Sequence, residues 1–354
     1  MQLNQKYLTD QHTANPLWIT ALRQLVNAAK VKDADCVPWL TNHGQRATVL
    51  AVALFCCATL VMHAQAKNGF DLSNASIDPE EIVLGGPPRD GIPAINQPKF
   101  IAADKVDYLH DDDIVMALVR GDIARAYPTR ILVWHEIVND VIGGDQVAVT
   151  YCPLCGTGMV FERAINGQER TFGVSGLLYQ SDVLMYDKES ESLWSQLAMK
   201  AVSGAEVGAE LTWLSSEHMT WKAWRDQYPR GEVLSTDTGY RRNYSGEAYA
   251  SYFASDRTMF PVSHLRRELP NKAWVIGVII DGEAKAYPVR TLPDNQVIHD
   301  MVGNAPVSVL YDAEKRHPRV TDVQGEQIPS VMVFWFAWQA FYPETGLWLP
   351  DERG

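Results

Sequence analysis

The stretch ARAYPTRILVWHEIVNDVIGGDQVAVTY, Ala124 to Tyr151, returns as AKAYPVRTLPDNQVIHDMVGNAPVSVLY, Ala284 to Tyr311, at an ungapped offset of 160 positions. The string Ala-x-Ala-Tyr-Pro-x-Arg, the pairs Leu132/Leu292, Asp140/Asp300 and Gly143/Gly303, and the closing tyrosine all coincide. Such a match identifies two copies of one unit. A second echo follows. TWKAWRDQYP (Thr220 to Pro229) and FWFAWQAFYP (Phe334 to Pro343) share W-x-A-W-x-x-x-Y-P at an offset of 114, so copy two lacks 46 residues between its strand and its aromatic helix.

Each copy reads as a hairpin, a short helix, a strand, more β-structure and an aromatic helix. IVMALVR and IARAYPT flank Gly121-Asp122, a two-residue turn signal between β-prone runs. WHEIVNDV is expected as the helix, and QVAVTY is an alternating strand that delivers the chain to Cys152. Asn166-Gly167 marks another hairpin, and Ser215-Ser216-Glu217 offers caps for the aromatic helix. These elements predict an α+β fold, mostly antiparallel β with short helices, in two pseudo-symmetric halves. The expected organisation is an N-terminal extension with signal (1–66), an extended lead-in (67–110), the first copy (111–235), a connecting segment (236–273) and a shortened second copy (274–354).

The apolar run Ala47 to Met62 has Arg46 before it and Ala64-Gln65-Ala66 after it, the order of a secretory signal with its cleavage site. It is short for a spanning helix, which needs about 18 to 20 apolar residues. Two readings fit the long segment preceding it: translation starting further on, near Val37 or Leu40, or an uncleaved anchor behind a cytoplasmic tail. Both place the remaining chain outside the cytoplasm, periplasmic or otherwise extracytoplasmic, because Lys30, Lys32 and Arg46 lie on the side that stays in. Membrane contact is then expected only through this N-terminal segment, and only if it stays uncleaved. A net charge of −12 without a basic run argues against a nucleic-acid partner, leaving an unidentified small molecule or protein.

Of five cysteines, Cys36, Cys56 and Cys57 precede residue 67, so the exported part carries only Cys152 and Cys155, in YCPLCGTG. No disulfide framework can rest on two thiols. At the place aligned with Cys152, copy two has Asp312. The shared AYPxR and W-x-A-W strings are therefore framework, and chemistry belongs to what copy one alone holds: Cys152, Cys155, His135 and the segment 175–196.

At these residues the chain resembles a bacterial family catalogued as domain of unknown function 3179. DGIPAI, RAYPTRIL, WHEIVND, TYCPLCGTG, FGVSGLLYQSDVLMYD and SLWSQ carry the resemblance. It implies an exported or membrane-anchored bacterial protein and leaves activity open.

Three readings of the CxxC stand side by side. As a zinc-knuckle-like turn it supplies two thiolates. The third donor is then expected from His135, where copy two has Asn295. Two sulfurs and an imidazole outside the cytoplasm point to copper, else zinc, for redox chemistry or metal handling. As a thiol-disulfide redox pair it lacks the helix that would activate its first cysteine. As a structural turn it would belong to a non-catalytic module that binds a ligand or protein. Whether the protein is an enzyme stays open. Glu136, Asp140, Ser175, Tyr179, Ser181 and Asp182 are the candidates for a pocket or for orienting the site. Gly173-Val174-Ser175-Gly176 lacks the spacing of a hydrolase nucleophile elbow. Trp194, Trp221 and Trp224 read as core.

Overall fold

The protein is described by a computed structural model covering residues 66–246 and 248–350. The apolar run Ala47 to Met62, with the export signal or anchor read into it, lies outside the described residues. No described helix is long and apolar enough to cross a membrane.

The described chain is mostly β, with about 12% helix, and its main strands form five sheets of three to five strands arranged as the blades of a β-propeller. This overturns the expected α+β fold in two pseudo-symmetric halves. Part of the error is local. The helix covers Thr129–His135 and stops at Glu136; Ile137–Ile142, the rest of the expected helix, is a strand paired antiparallel with Asp145–Cys152. Ile137, Val138, Val141 and Ile142 are β-branched, stiff in a helix and well suited to a pleated surface. Gly143-Gly144, both at positive φ, close that hairpin in two residues.

The repeat is expressed as matching blades. In copy one Val115 faces Pro128 and Met116 faces Tyr127; in copy two Val275 faces Pro288 and Ile276 faces Tyr287. Gly121-Asp122 turns the first hairpin with Gly121 at φ +55°, and Asp281-Gly282 turns the second with φ +51° and +81°. Different turn types thus preserve one register, because both match the right-handed strand twist. Glu217–Thr220 flanks the first hairpin and Ser330–Phe334 the second, and each hairpin gains a parallel strand, Glu232–Leu234 or Gly346–Leu347. The adjoining sheets repeat likewise: Ile137–Ile142, Asp145–Cys152 and Thr157–Glu162 against Ile298–Val302, Ala305–Asp312 and His317–Thr321.

The fifth sheet has no counterpart. It is built from Phe172–Tyr179, Asp182–Asp187, Leu193–Ser195 and Lys200–Ser203, with Ile82–Leu84 at its edge. Nearly all of it is sequence that copy two lacks, and an odd blade cannot be divided between two halves.

Asp140, a candidate for the site, belongs to the shared framework. It accepts two hydrogen bonds from Arg125 (2.9 and 3.0 Å) and one from Tyr127 Oη (2.6 Å). The pair Lys285–Asp300 (2.6 Å) occupies the equivalent place in copy two.

The aromatic helices Trp221–Gln227 and Trp335–Phe341 bury Trp221, Trp224, Trp335 and Trp338. Glycine makes room for them. A Cβ on Gly231 would lie 2.5 Å from Trp224, and one on Gly277 2.4 Å from Trp338. The first helix is capped by Thr220, whose Oγ1 accepts from Ala223 N (3.3 Å), rather than by Ser215, Ser216 or Glu217; the second starts at Phe334 without a side-chain cap. Thr220→Ala is expected to cost about 1 kcal/mol, read as a lower urea midpoint at unchanged slope.

Candidate metal centre

Strand Asp145–Cys152 leads into Thr157–Glu162, its last pair being Cys152 with Thr157, and Pro153 to Gly156 form the turn between them. Gly156 sits at φ +66°, and a Cβ there would lie 2.4 Å from the Trp274 ring. Only glycine suits both the backbone and the space. The turn is pinned from outside: Phe334 N donates to Cys155 O (2.9 Å) and Tyr252 Oη to Leu154 O (2.8 Å). Both cysteines are free thiols and fully buried.

The third member arrives from the fifth sheet. Strands Phe172–Tyr179 and Asp182–Asp187 are joined by Gln180-Ser181, at φ +51° and +68°. Hairpins of this kind favour Asn or Gly; a Gln-Ser pair at positive φ is strained backbone held by its surroundings. That turn sets the Ser181 carbonyl where it accepts from Cys155 Sγ (3.3 Å) and sets Asp182 beside the sulfurs. A ligand atom from each of Cys152, Cys155 and Asp182 lies within 4.8 Å of the other two. Asp182 Oδ2 accepts from Leu197 N (3.1 Å), while buried Oδ1 has no partner.

Glu136 is a second buried acid beside Asp182, whose charge acts on it, and its own backbone is strained. It caps the helix Thr129–His135 at φ +58°, ψ −30°, an uncommon conformation for a residue with a side chain, and is 7% exposed. With Leu154, Val183, Tyr249 and Phe260 it lines a narrow cavity of about 80 Å³.

Burial dominates the electrostatics. It pushes Asp182 up to about 7 and Glu136 up to about 8, the charge of Asp182 adding to the latter. It also raises both thiols, Cys155 well above its ordinary range. Four acidic groups therefore share one dehydrated volume, and among the described residues neither Asp182 nor Glu136 has a Lys, Arg or His partner within ion-pair distance. Each resists ionisation because no positive charge is at hand.

His135 is not part of this group. Its Nδ1 donates to Pro93 O (2.7 Å), which leaves Nε2 to accept from Tyr244 Oη (2.6 Å), and that hydroxyl also meets Thr238 Oγ1 (2.6 Å). Burial lowers its pKa, so the ring is a neutral strut. Ser175 Oγ serves the backbone of its own sheet, bonding Leu184 O and Leu177 N, and Tyr179 packs edge-on against Phe341. Of the six pocket candidates, Glu136, Ser181 and Asp182 are at the site and Asp140, Ser175 and Tyr179 are elsewhere. Tyr252, which pins the turn, was not anticipated; no pattern in the connecting segment marks it.

The profile of a family described as a protein of unknown function (DUF3179) matches residues 89–345. No curated protein and no solved structure matches the chain.

Proposed function

The chain belongs to the DUF3179 family, a premise that assigns no activity, and we propose that the protein holds one metal ion on Cys152, Cys155 and Asp182. The observation that carries this is the burial of several acids together without a counter-charge. Burying uncompensated charge costs several kcal/mol per ion, and protonating every member wastes a donor set that a divalent cation would satisfy. The unpartnered Asp182 Oδ1 fits the same occupant.

The donor set selects the metal. With a carboxylate in place of the expected imidazole, two sulfurs and one oxygen suit borderline zinc better than copper, which soft sulfur-rich sites favour. Three protein ligands would leave a fourth position open, and Glu136, buried close enough to feel the charge of Asp182 and lining the 80 Å³ cavity, is the acid that would act on what fills it. Bound zinc would supply a Lewis acid and lower the pKa of the groups holding it. The location we infer is extracytoplasmic, on the strength of the Ala47 to Met62 run.

The thiol-disulfide reading is weaker, because both thiols are raised in pKa and the thiolate is the reactive form. A purely structural turn gives no reason for strained Glu136 and Ser181 to converge on it.

Protein purified without an affinity tag should contain about one zinc per chain by elemental analysis. Asp182→Asn should weaken zinc retention by at least about 10-fold against a competing chelator. Metal-free protein that takes up no zinc on titration would end the proposal.

A further inference from the structure

The narrow cavity of about 80 Å³ beside the metal centre carries two polar side chains on its wall, Glu136 and Tyr249; the rest of the lining is apolar or glycine. We propose that it binds a small primary ammonium ion on a slim alkyl body, the ammonium donating to the Glu136 carboxylate and to the Tyr249 hydroxyl.

The unmet bonding of those two groups carries this. The backbone of Glu136 is fully paired: its N–H donates to Leu132 O (2.7 Å) and its carbonyl accepts from Tyr151 N (2.7 Å). The side chain is not. Among the described residues its carboxyl makes neither a hydrogen bond nor an ion pair, although the residue is 7% exposed and what surface it keeps belongs to the cavity it lines. The hydroxyl of the part-buried Tyr249 is likewise without a hydrogen bond among the described residues. Tyr249 feels the charge of Glu136 and yet does not bond to it. One group with several N–H donors, set between them, satisfies both.

The charge of the centre fixes the sign of the ligand. Two thiolates and the Asp182 carboxylate carry three negative charges against the two positive charges of zinc, and an ionised Glu136 adds a fourth. No Lys, Arg or His lines the cavity. A monocation offsets this excess, whereas an anion meets like charge. For this count the proposal rests on the metal reading; the place of the ligand rests on Glu136 and Tyr249. The shape fixes its size. Leu154 and Val183 form a buried floor, and the mouth lies at Phe260 and at Met259, which is 57% exposed. At roughly 30 Å³ for each water-sized group, the space holds about three such groups, the size of ethylammonium. The rings of Tyr249 and Phe260 also favour a cation at close range.

The test is calorimetric titration of the whole protein at matched chloride, with zinc content measured on the same sample. The probes are ethylammonium, ethanol as its neutral counterpart, and tert-butylammonium, which is too wide for the cavity. Ethylammonium should bind saturably in the millimolar range, near the ceiling for so small a ligand, and about tenfold more tightly than either of the others. Glu136→Gln should abolish the preference for ethylammonium over ethanol and leave zinc content unchanged, because Glu136 is not one of the metal's ligands. Tyr249→Phe, which keeps the ring and its packing, should weaken ethylammonium about fivefold, and unaltered affinity would overturn the two-point contact. No saturable binding of ethylammonium, equal binding of ethylammonium and ethanol, or a Glu136→Gln protein that still prefers ethylammonium would each overturn the proposal. The zinc content judges the metal reading separately, so the failure of one is distinguishable from the failure of the other.

Discussion

Replacing Cys152 and Cys155 together by serine is expected to strip the protein of zinc and to remove the stability that zinc confers. A ligand that binds only the folded state stabilises it by an amount that grows with the logarithm of its concentration, about 4 kcal/mol at a thousandfold excess over Kd. Serine keeps the shape of cysteine closely, but its hydroxyl does not ionise in this range and is no match for a thiolate as a zinc donor. The two substitutions leave Asp182 as the only remaining protein ligand, so the loss in affinity should exceed the roughly 10–100-fold typical of residues that merely orient ligands. The measurement is urea unfolding of wild type and double variant, each with added zinc and with chelator. Wild type should separate by several kcal/mol between the two conditions while the variant gives one curve. A wild type indifferent to zinc sinks the reading, whatever the variant does.

Much of the framework was readable from the sequence because repetition is a strong signal. The offset of 160 carries over unchanged into strand register, Val115/Pro128 against Val275/Pro288. The class of fold was not readable in the same way. Ile137 to Ile142 sits directly after a true helical turn, and in six residues the β-branched pattern that ends a helix resembles the apolar face that continues one. The fifth sheet, assembled from sequence without a repeat partner, gave no periodic cue to its membership.

The site divides along the same line. Cys152 and Cys155 stood out because copy two lacks them. His135 was chosen as third ligand because it too is missing from copy two and lies close in sequence. That argument fails physically: Glu136 ends the helix at positive φ and the imidazole is spent on Pro93 and Tyr244. Asp182 sat among the pocket candidates, but its approach to the sulfurs depends on a Gln180-Ser181 turn at positive φ, which residue preferences argue against.

Acidification should expose His218 as a latent weakness of the fold, worth about 3 kcal/mol between neutral pH and pH about 4. Burial first, and then the neighbouring charge of His317, push His218 down to about 4 from its ordinary 6.5. A histidine depressed in the folded state is neutral in both states above 6.5, where its contribution to stability does not change with pH. As pH falls below 6.5 the unfolded chain takes up the proton and the folded chain resists. Unfolding is therefore favoured by about 1.4 kcal/mol per pH unit until the folded value is reached. Glu217 and His317 are the charged groups nearby, His317 Nε2 lying 3.4 Å from Glu217 Oε1. The raised carboxyls of Asp182 and Glu136 act in the opposite direction, since the metal-free folded state holds their protons to higher pH than the unfolded chain does. The His218 contribution is for that reason read as a difference: wild type minus His218→Gln, each unfolded by urea across the pH range with the same chelator present. Wild type should lose about 3 kcal/mol more than the variant on going from pH about 7 to pH about 4. Parallel curves would mean that His218 titrates normally, and that the Nε2 without a partner is already solvated in the native protein.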